Sequence, residues 1–189
     1  FGAKNPEQLQ AYALHYVQQL SDGGKYPLLI WPYHAMLGGI GHALVPALEE
    51  AIFFHGIART SQASFSIKGD RTLTENYSAL APEVFTNQLG EIIASKNDRL
   101  IEQLLATDKL IIAGQAQSHC VAWTVNDLLT EIQAIDPQLA QNVYLLADCT
   151  SPVVIPGVVD YTEQAEAAYQ RFAAAGINIV RSTDAQSFL

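Results

Sequence analysis

One cysteine of this chain stands where a nucleophile would be placed. Cys120 follows an apolar run, Ile111–Ala113, and a glycine turn at Gly114, and it begins a helical pattern that extends to Ile135. A helix N-terminus carries unpaired backbone N–H groups and the positive end of the helix dipole, which together favour a thiolate. The spacing therefore indicates a cysteine nucleophile. The alternative is a small buried side chain, the common role of a free cysteine.

Three further side chains could take part in chemistry because they too follow apolar runs. Lys68 could hold a thiolate or stabilise charge in an acyl-transfer transition state, whereas most lysines at strand ends are solvated charges. His34 could bind a metal ion but would need two or three partners, and no local cluster supplies them. Trp31 could line the core or offer a flat face to an aromatic ligand.

Helical and strand patterns alternate along the chain and must position these residues. Helices are predicted at Pro6–Leu20, His42–Ile57, Phe85–Leu105 (in two pieces), Cys120–Ile135 and Thr162–Ala175. Strands are predicted at Tyr26–Trp31, Ala63–Ile67, Lys109–Ala113, Val143–Ala147 and Ile177–Val180. This order indicates an α/β fold, a doubly wound and mainly parallel sheet with helices on both faces. Ligands of such sheets bind beyond the carboxyl ends of the strands, where Trp31, Lys68 and Cys120 lie.

Composition limits the classes of protein. A length of 189 residues, 49% hydrophobic and 15% charged, suits one globular domain over 1–189. The net charge of −9 argues against nucleic acid and anionic membranes as partners, and no apolar run is long enough to span a membrane. Two cysteines do not make a disulfide framework, which favours a reduced, cytoplasmic setting.

Three motifs surround the candidate nucleophile: Lys68-Gly69, Tyr77-Ser78-Ala79, and Gly114-x-Ala116-x-x-x-Cys120-Val121-x-x-Thr124-x-x-Asp127. Together they resemble the isochorismatase-like cysteine hydrolases. A fourth motif, Trp31-Pro32-x-His34 followed by glycines, is similar to the nicotinamidase branch of that superfamily. The resemblance extends from about residue 26 to the C-terminus.

The resemblance implies an Asp–Lys–Cys triad. Cys120 would be the nucleophile and Lys68 its cationic partner. The backbone N–H groups of Ala116 and Cys120 would form the oxyanion hole, and the peptide between Gln115 and Ala116 would be cis. The leading hypothesis is a cysteine amidohydrolase that converts a small aromatic amide to an acid and ammonia through a thioester.

The resemblance also implies a substrate site and a metal. Trp31 would stack on a pyridine ring, and we expect Gln115 and Tyr77 to line the same site. His34 would be one ligand of a zinc-like divalent ion that holds the pyridine nitrogen. Members of this family are commonly dimers or tetramers, so a homo-oligomer is expected.

The chain departs from the family pattern before Trp31. The triad aspartate normally ends the first strand, and a later Asp-x-His supplies two more metal ligands, but residues 1–25 contain neither. We therefore expect the first strand to belong to an N-terminal segment or chain that is missing here. His42 and the run Gly38–Gly41 also differ from the nicotinamidase pattern. Two alternatives follow: another hydrolase of the superfamily, acting on a carbamoyl or ureido amide or an isochorismate-like vinyl ether, and a non-catalytic member.

Overall fold

The structure is a computed structural model and describes residues 5–184. The chain divides into two compact units. The first contains the segment up to Lys25 and everything from Ile67 onwards, and the second is Tyr26–Ser66. The expected single domain over 1–189 stays a prediction.

A parallel sheet forms the centre of the first unit. Five strands occur within 5–184: β1 Leu110–Ile112, β2 Val143–Leu146, β3 Val154–Ile155, β4 Val159–Asp160 and β5 Asn178–Val180. Three of them form the parallel sheet in the order β1-β2-β5, with Ile111 opposite Tyr144 and Leu145 opposite Ile179. β3 and β4 form a separate antiparallel hairpin, which the sequence patterns did not predict.

The helices within residues 5–184 are α1 Pro6–Asp22, α2 Pro46–Arg59, α3 Asp98–Leu105, α4 Ala122–Ile135 and α5 Thr162–Ala174. α4 connects β1 to β2, α5 leads into β5, and both pack on the sheet. The main core joins α4, α5 and β2 through Leu128, Ile132, Leu145 and Phe172, each at most 1% exposed. Burying side chains of this size contributes about 1.5–3 kcal/mol each. The predicted α/β fold with a parallel sheet flanked by helices is confirmed.

Local signals explain why α1 begins and ends as predicted. The side chain of Asn5 accepts hydrogen bonds from the backbone N–H groups of Glu7 and Gln8, and Pro6 occupies the first helical position. The helix ends at Asp22, two residues beyond the predicted Leu20, and Gly23 caps it.

Two predicted strands and most of one predicted helix are wrong. Tyr26–Trp31 and Ala63–Ile67 form no strand, and side chains such as Ile30 and Phe65 are 83% and 79% exposed. An apolar run becomes a strand only where a neighbouring strand accepts its hydrogen bonds, and neither run has one within the described chain. Of the predicted helix Phe85–Leu105, only α3 forms, because its first part is a loop.

That loop has its own local cause. The side chain of Asn87 accepts hydrogen bonds from the N–H groups of Leu89 and Glu91, and Gly90 adopts a φ of +78°. Both features close a turn in place of a helix. Asn97 then caps α3 by accepting from the N–H of Leu100.

The second unit contains α2 and a 3-10 helical turn at Ile40–His42. Pro46 is the first residue of α2, so the predicted start at His42 is four residues early although the helix itself is confirmed. No residue of Tyr26–Ser66 is buried, and the phenyl rings of Phe53 and Phe54 are 63% and 61% exposed. Over residues 5–184, none of the helices combines the length and the apolar character needed to cross a membrane.

Candidate active site

Cys120 lies between the end of β1 and the start of α4. A single π-helical turn, Gln117–Val121, precedes the regular helix and carries the half-buried cysteine near its end. Gly114 makes the preceding turn with a φ of +133°, a value that side chains rarely adopt. π-Helical turns are frequent at functional sites, since they change which way a helical side chain points.

Lys68 meets this cysteine. Its Nζ lies 3.0 Å from Cys120 Sγ and donates hydrogen bonds of 2.8 Å to the backbone carbonyl oxygens of Asn76 and Tyr77. An ammonium group has three donors, and all three are used here. The geometry orients a cation directly at the sulfur, which stabilises a thiolate.

The loop 74–84 supplies both carbonyls and is itself fastened at several points. Within the loop, Glu83 N–H donates to the Glu75 carbonyl at 2.8 Å, and Val84 N–H donates to Thr74 Oγ1 at 3.0 Å. The N–H of Ala79 donates to Thr124 Oγ1 of α4 at 3.0 Å. The loop is therefore attached to the helix that follows Cys120.

His119 is buried directly beside the nucleophile, at 4% exposure. Its ring stands edge-on to Tyr77 and Tyr161, with centroid distances of 5.1 and 4.6 Å, and its Nδ1 lies 2.9 Å from Ser118 Oγ. Burial lowers the pKa of His119 to about 4, so the ring is neutral near pH 7. A neutral imidazole adds no positive charge beside the sulfur, which leaves Lys68 as the cation in contact with it.

The residues expected around the substrate carbonyl adjoin this turn. The peptide between Gln115 and Ala116 is cis, as the resemblance implies. The carbonyl of Ala116 accepts hydrogen bonds of 3.1 Å from the N–H groups of His119 and Val121. Gln115 Oε1 accepts from both the N–H and the hydroxyl of Ser151, at 3.2 and 3.1 Å.

A cavity of about 220 Å³ lies on one side of Lys68. Its walls include Arg71, Asn76, Ser95 and Lys96, but neither Cys120 nor Ala116 lines it. The cavity is therefore not the place where a substrate would meet the thiolate.

Trp31 and His34 belong to the second unit. Trp31 is half-buried and His34 is exposed. The Nδ1 of His34 donates to the carbonyl of Pro32 at 2.7 Å, which leaves the Nε2 lone pair as the position for a ligand. Within residues 5–184, no group of three or more His, Cys, Asp or Glu side chains could hold a metal ion, so the residues present do not form the expected zinc-like site.

Sequence patterns missed the residues that hold Lys68 in place. Asn76 contributes a backbone carbonyl, which no side-chain motif reports. Glu83 is the least expected, because a glutamate in a loop is usually exposed, yet its side chain is 1% exposed. Thr124 and Ala79 both belong to the motifs that surround Cys120 in the sequence, and those motifs are the signal from which their contact could have been predicted.

Solved structures that are similar to this chain include nicotinamidases and pyrazinamidases. The yeast nicotinamidase bound to the inhibitor nicotinaldehyde is similar to this chain with a TM-score of 0.52 and 19% identity, over 83% of this chain and 61% of the yeast chain. The chain thus spans less than two thirds of the yeast enzyme's length. The expected nicotinamidase-like fold is confirmed.

Two further structures have lower scores. The pyrazinamidase from Pyrococcus horikoshii in complex with zinc has a TM-score of 0.48 and 18% identity, over 93% of this chain and 87% of that chain. The nicotinamidase/pyrazinamidase from Bacillus subtilis has a TM-score of 0.47 and 16% identity, over 96% and 93%. No family model matches the sequence, and no curated protein matches it.

Proposed function

We propose that this chain is a cysteine amidohydrolase of nicotinamidase type, which hydrolyses a small aromatic amide to the acid and ammonia. The contact of 3.0 Å between Lys68 Nζ and Cys120 Sγ carries the proposal. A buried or purely structural cysteine has no need of an ammonium group held by two carbonyls. The shared fold with the yeast nicotinamidase supports the choice of reaction class.

In the first half of the reaction the Cys120 thiolate attacks the amide carbonyl. A C–S bond forms and the carbonyl oxygen takes up the negative charge. Backbone N–H groups at Ala116 and Cys120 are our candidates for binding that oxygen, since they lie at the N-terminal end of the helical segment. The C–N bond then breaks, and the leaving nitrogen takes up the proton that the Cys120 thiol released on becoming a thiolate, so that it departs as ammonia.

In the second half water hydrolyses the thioester. A C–O bond forms, the C–S bond breaks, and the sulfur leaves as the thiolate, which Lys68 again stabilises. A general base must remove a proton from that water. Within the described residues no carboxylate forms an ion pair with Lys68. We propose that an aspartate on an additional strand, paired to the open edge of β1, supplies this base.

Trp31, Gln115 and Tyr77 are proposed as substrate contacts, with the tryptophan face stacking on an aromatic ring. His34 is proposed as one ligand of a divalent cation through its Nε2, with the remaining ligands outside the described residues. No step of the reaction is assigned to that cation.

The two cysteines provide a matched test. Cys120→Ala should abolish ammonia release from nicotinamide in the full-length protein, because the thioester cannot form. Cys149→Ala should retain it, since the Cys149 thiol donates to the neighbouring Asp148, at 3.9 Å, and the sulfur that Lys68 contacts is that of Cys120. Circular dichroism checks that both variants fold. Ammonia release that survives Cys120→Ala contradicts the mechanism.

Substrate choice is tested separately. Release of ammonia from carbamoyl or ureido amides, with none from nicotinamide, would move the protein to another branch of the same hydrolases. A full-length protein that releases ammonia from neither class, with or without added zinc, would favour a non-catalytic member.

A further inference from the structure

The strongest unassigned feature is a buried carboxylate behind the lysine. The side chain of Glu83 is 1% exposed, whereas glutamate side chains are usually exposed to solvent. Its Oε1 accepts a hydrogen bond of 3.3 Å from the backbone N–H of Tyr77. A buried carboxylate is costly unless it is paired and hydrogen-bonded, so its position requires an explanation.

The peptide between Asn76 and Tyr77 binds a different charged group at each of its two polar atoms. The N–H of Tyr77 and the carbonyl of Asn76 belong to the same peptide group. The N–H points to Glu83, while the carbonyl accepts the 2.8 Å hydrogen bond from Lys68 Nζ. A single peptide therefore separates the carboxylate from the ammonium that touches Cys120 Sγ at 3.0 Å. Charged groups strengthen the hydrogen bonds of a peptide they contact, because each bond polarises the next.

A second cation keeps the carboxylate in place. Lys25 Nζ lies 3.2 Å from Glu83 Oε2 and 4.2 Å from the centre of the Trp123 ring, which belongs to α4. Burial raises the pKa of Glu83 above its usual range and the nearby Asp127 adds to the rise, while Lys25 and the N–H of Tyr77 offset part of it. The ion pair thus favours the charged form of Glu83 at the position where it meets the peptide.

We infer that Glu83 is a positioning residue for the nucleophile, acting through the Asn76–Tyr77 peptide to hold and polarise the contacts of Lys68. The inference rests on the proposed role of Cys120 as nucleophile. The groups contact one another in the order Glu83 carboxylate, Asn76–Tyr77 peptide, Lys68 ammonium and Cys120 thiolate. Glu83 touches neither Lys68 nor Cys120 and takes no part in bond making.

The sign of the effect separates this role from simple charge repulsion. A negative charge acting only through space disfavours a nearby thiolate, so removing it would make Cys120 react at lower pH. Loss of the contact through the peptide has the opposite effect, because a less firmly held Lys68 stabilises the thiolate less. An upward shift in the pH dependence of thiol reactivity therefore identifies the positioning role.

The test measures the rate of alkylation of Cys120 by iodoacetamide as a function of pH in the full-length protein. Mass spectrometry of the digested protein distinguishes Cys120 from Cys149. In Glu83→Gln the midpoint of the curve should move up by about 0.5–1 pH unit, which makes alkylation about three- to tenfold slower below the midpoint. Glu75→Gln is the matched control: Glu75 lies in the same loop and its carboxylate accepts from Tyr16, but it acts on Glu83 only through space, so its midpoint should not rise.

A second variant guards against a failure to fold. Glu83→Gln leaves Lys25 without its buried partner, whereas Lys25→Met combined with Glu83→Gln removes both charges together. The double variant should show the same upward shift. A midpoint that is unchanged or lower in folded variants overturns the inference. Alkylation needs no turnover, so this result is independent of whether any amide is hydrolysed.

Discussion

Lys68 and Cys120 are separated by 52 positions in the sequence, yet their side chains meet at 3.0 Å. Two backbone carbonyls and one sulfur use all three donors of the ammonium, so the lysine has little freedom to turn away. The same small region contains a buried histidine that is neutral near pH 7. At the residue scale, the charge at the nucleophile therefore comes from Lys68 and not from the adjacent His119.

The neutral state of His119 predicts how stability depends on pH. Its pKa is about 4 in the folded chain, against about 6.5 in an unfolded one, so the unfolded state binds more protons between these values. Stability is fully present above pH 6.5 and is lost as the pH falls towards 4, by about 2–3 kcal/mol. His119→Phe should reduce this loss, measured by urea unfolding at several pH values.

The exposed histidine of α2 is the control for that measurement. His55→Phe changes a side chain that is not buried, so its pH dependence should match that of the unaltered protein. If His119→Phe kept the full loss of stability between pH 6.5 and 4, other titrating groups would be responsible for it.

At the scale of elements, the site depends on how one loop is attached to one helix. The loop 74–84 presents its carbonyls to Lys68, and α4 carries Thr124 within the first turn after the nucleophile. The hydrogen bond from Ala79 N–H to Thr124 Oγ1 joins the two elements. Loop and helix are thereby held in the register that lets the lysine reach the sulfur.

Thr124→Val removes that attachment with little change in shape. We expect a loss of about 1–2 kcal/mol in the free energy of unfolding, because the N–H of Ala79 loses its acceptor. Alkylation of Cys120 should also slow at neutral pH. Thr130→Val, on the same helix, is the control, since Thr130 is exposed and bonds only the Asn126 carbonyl of its own helix. Equal behaviour of the two variants in both measurements would contradict the role of Thr124.

At the scale of the whole molecule, apolar surface remains uncovered. β1 pairs with β2 on one side, and within residues 5–184 no strand pairs with its other edge, where Ile111 is 39% exposed. The unit Tyr26–Ser66 has no buried residue. Surfaces of this kind are covered in most stable proteins by further polypeptide.

We therefore predict that the protein is not a single chain in solution. The native mass is expected to exceed that of the heaviest polypeptide found in a denatured sample of the same protein, both measured by mass spectrometry. A second polypeptide with an aspartate at the end of an apolar strand would supply the proposed base, and multiples of one mass would support the proposed homo-oligomer. A native mass of one chain alone would contradict the proposed homo-oligomer, and if that chain carried no such aspartate it would also contradict the proposed base.

The sequence predicted the secondary structure better in the first unit than in the second. In the first unit, β1, β2, β5, α4 and α5 were predicted within a few residues, because each combines its own hydrophobic period with nearby glycine or proline signals. In the second unit, Tyr26–Trp31 had the composition of a strand, but no strand of residues 5–184 lies beside it in a sheet. Strand formation depends on a neighbour, and composition does not report one.

By itself, the sequence determined β1 and α4 on either side of Cys120, and it indicated Cys120 and Lys68 as candidates. Local order was enough for Cys120, which follows an apolar run and a turn, whereas the strand predicted before Lys68 does not form. Only the tertiary structure decided what holds Lys68 against the sulfur, namely the carbonyls of Asn76 and Tyr77, and what stands behind them, the buried Glu83. These contacts form only when the folded loop brings backbone groups together. Every residue has a backbone carbonyl, so the sequence does not indicate which of them will bind the lysine.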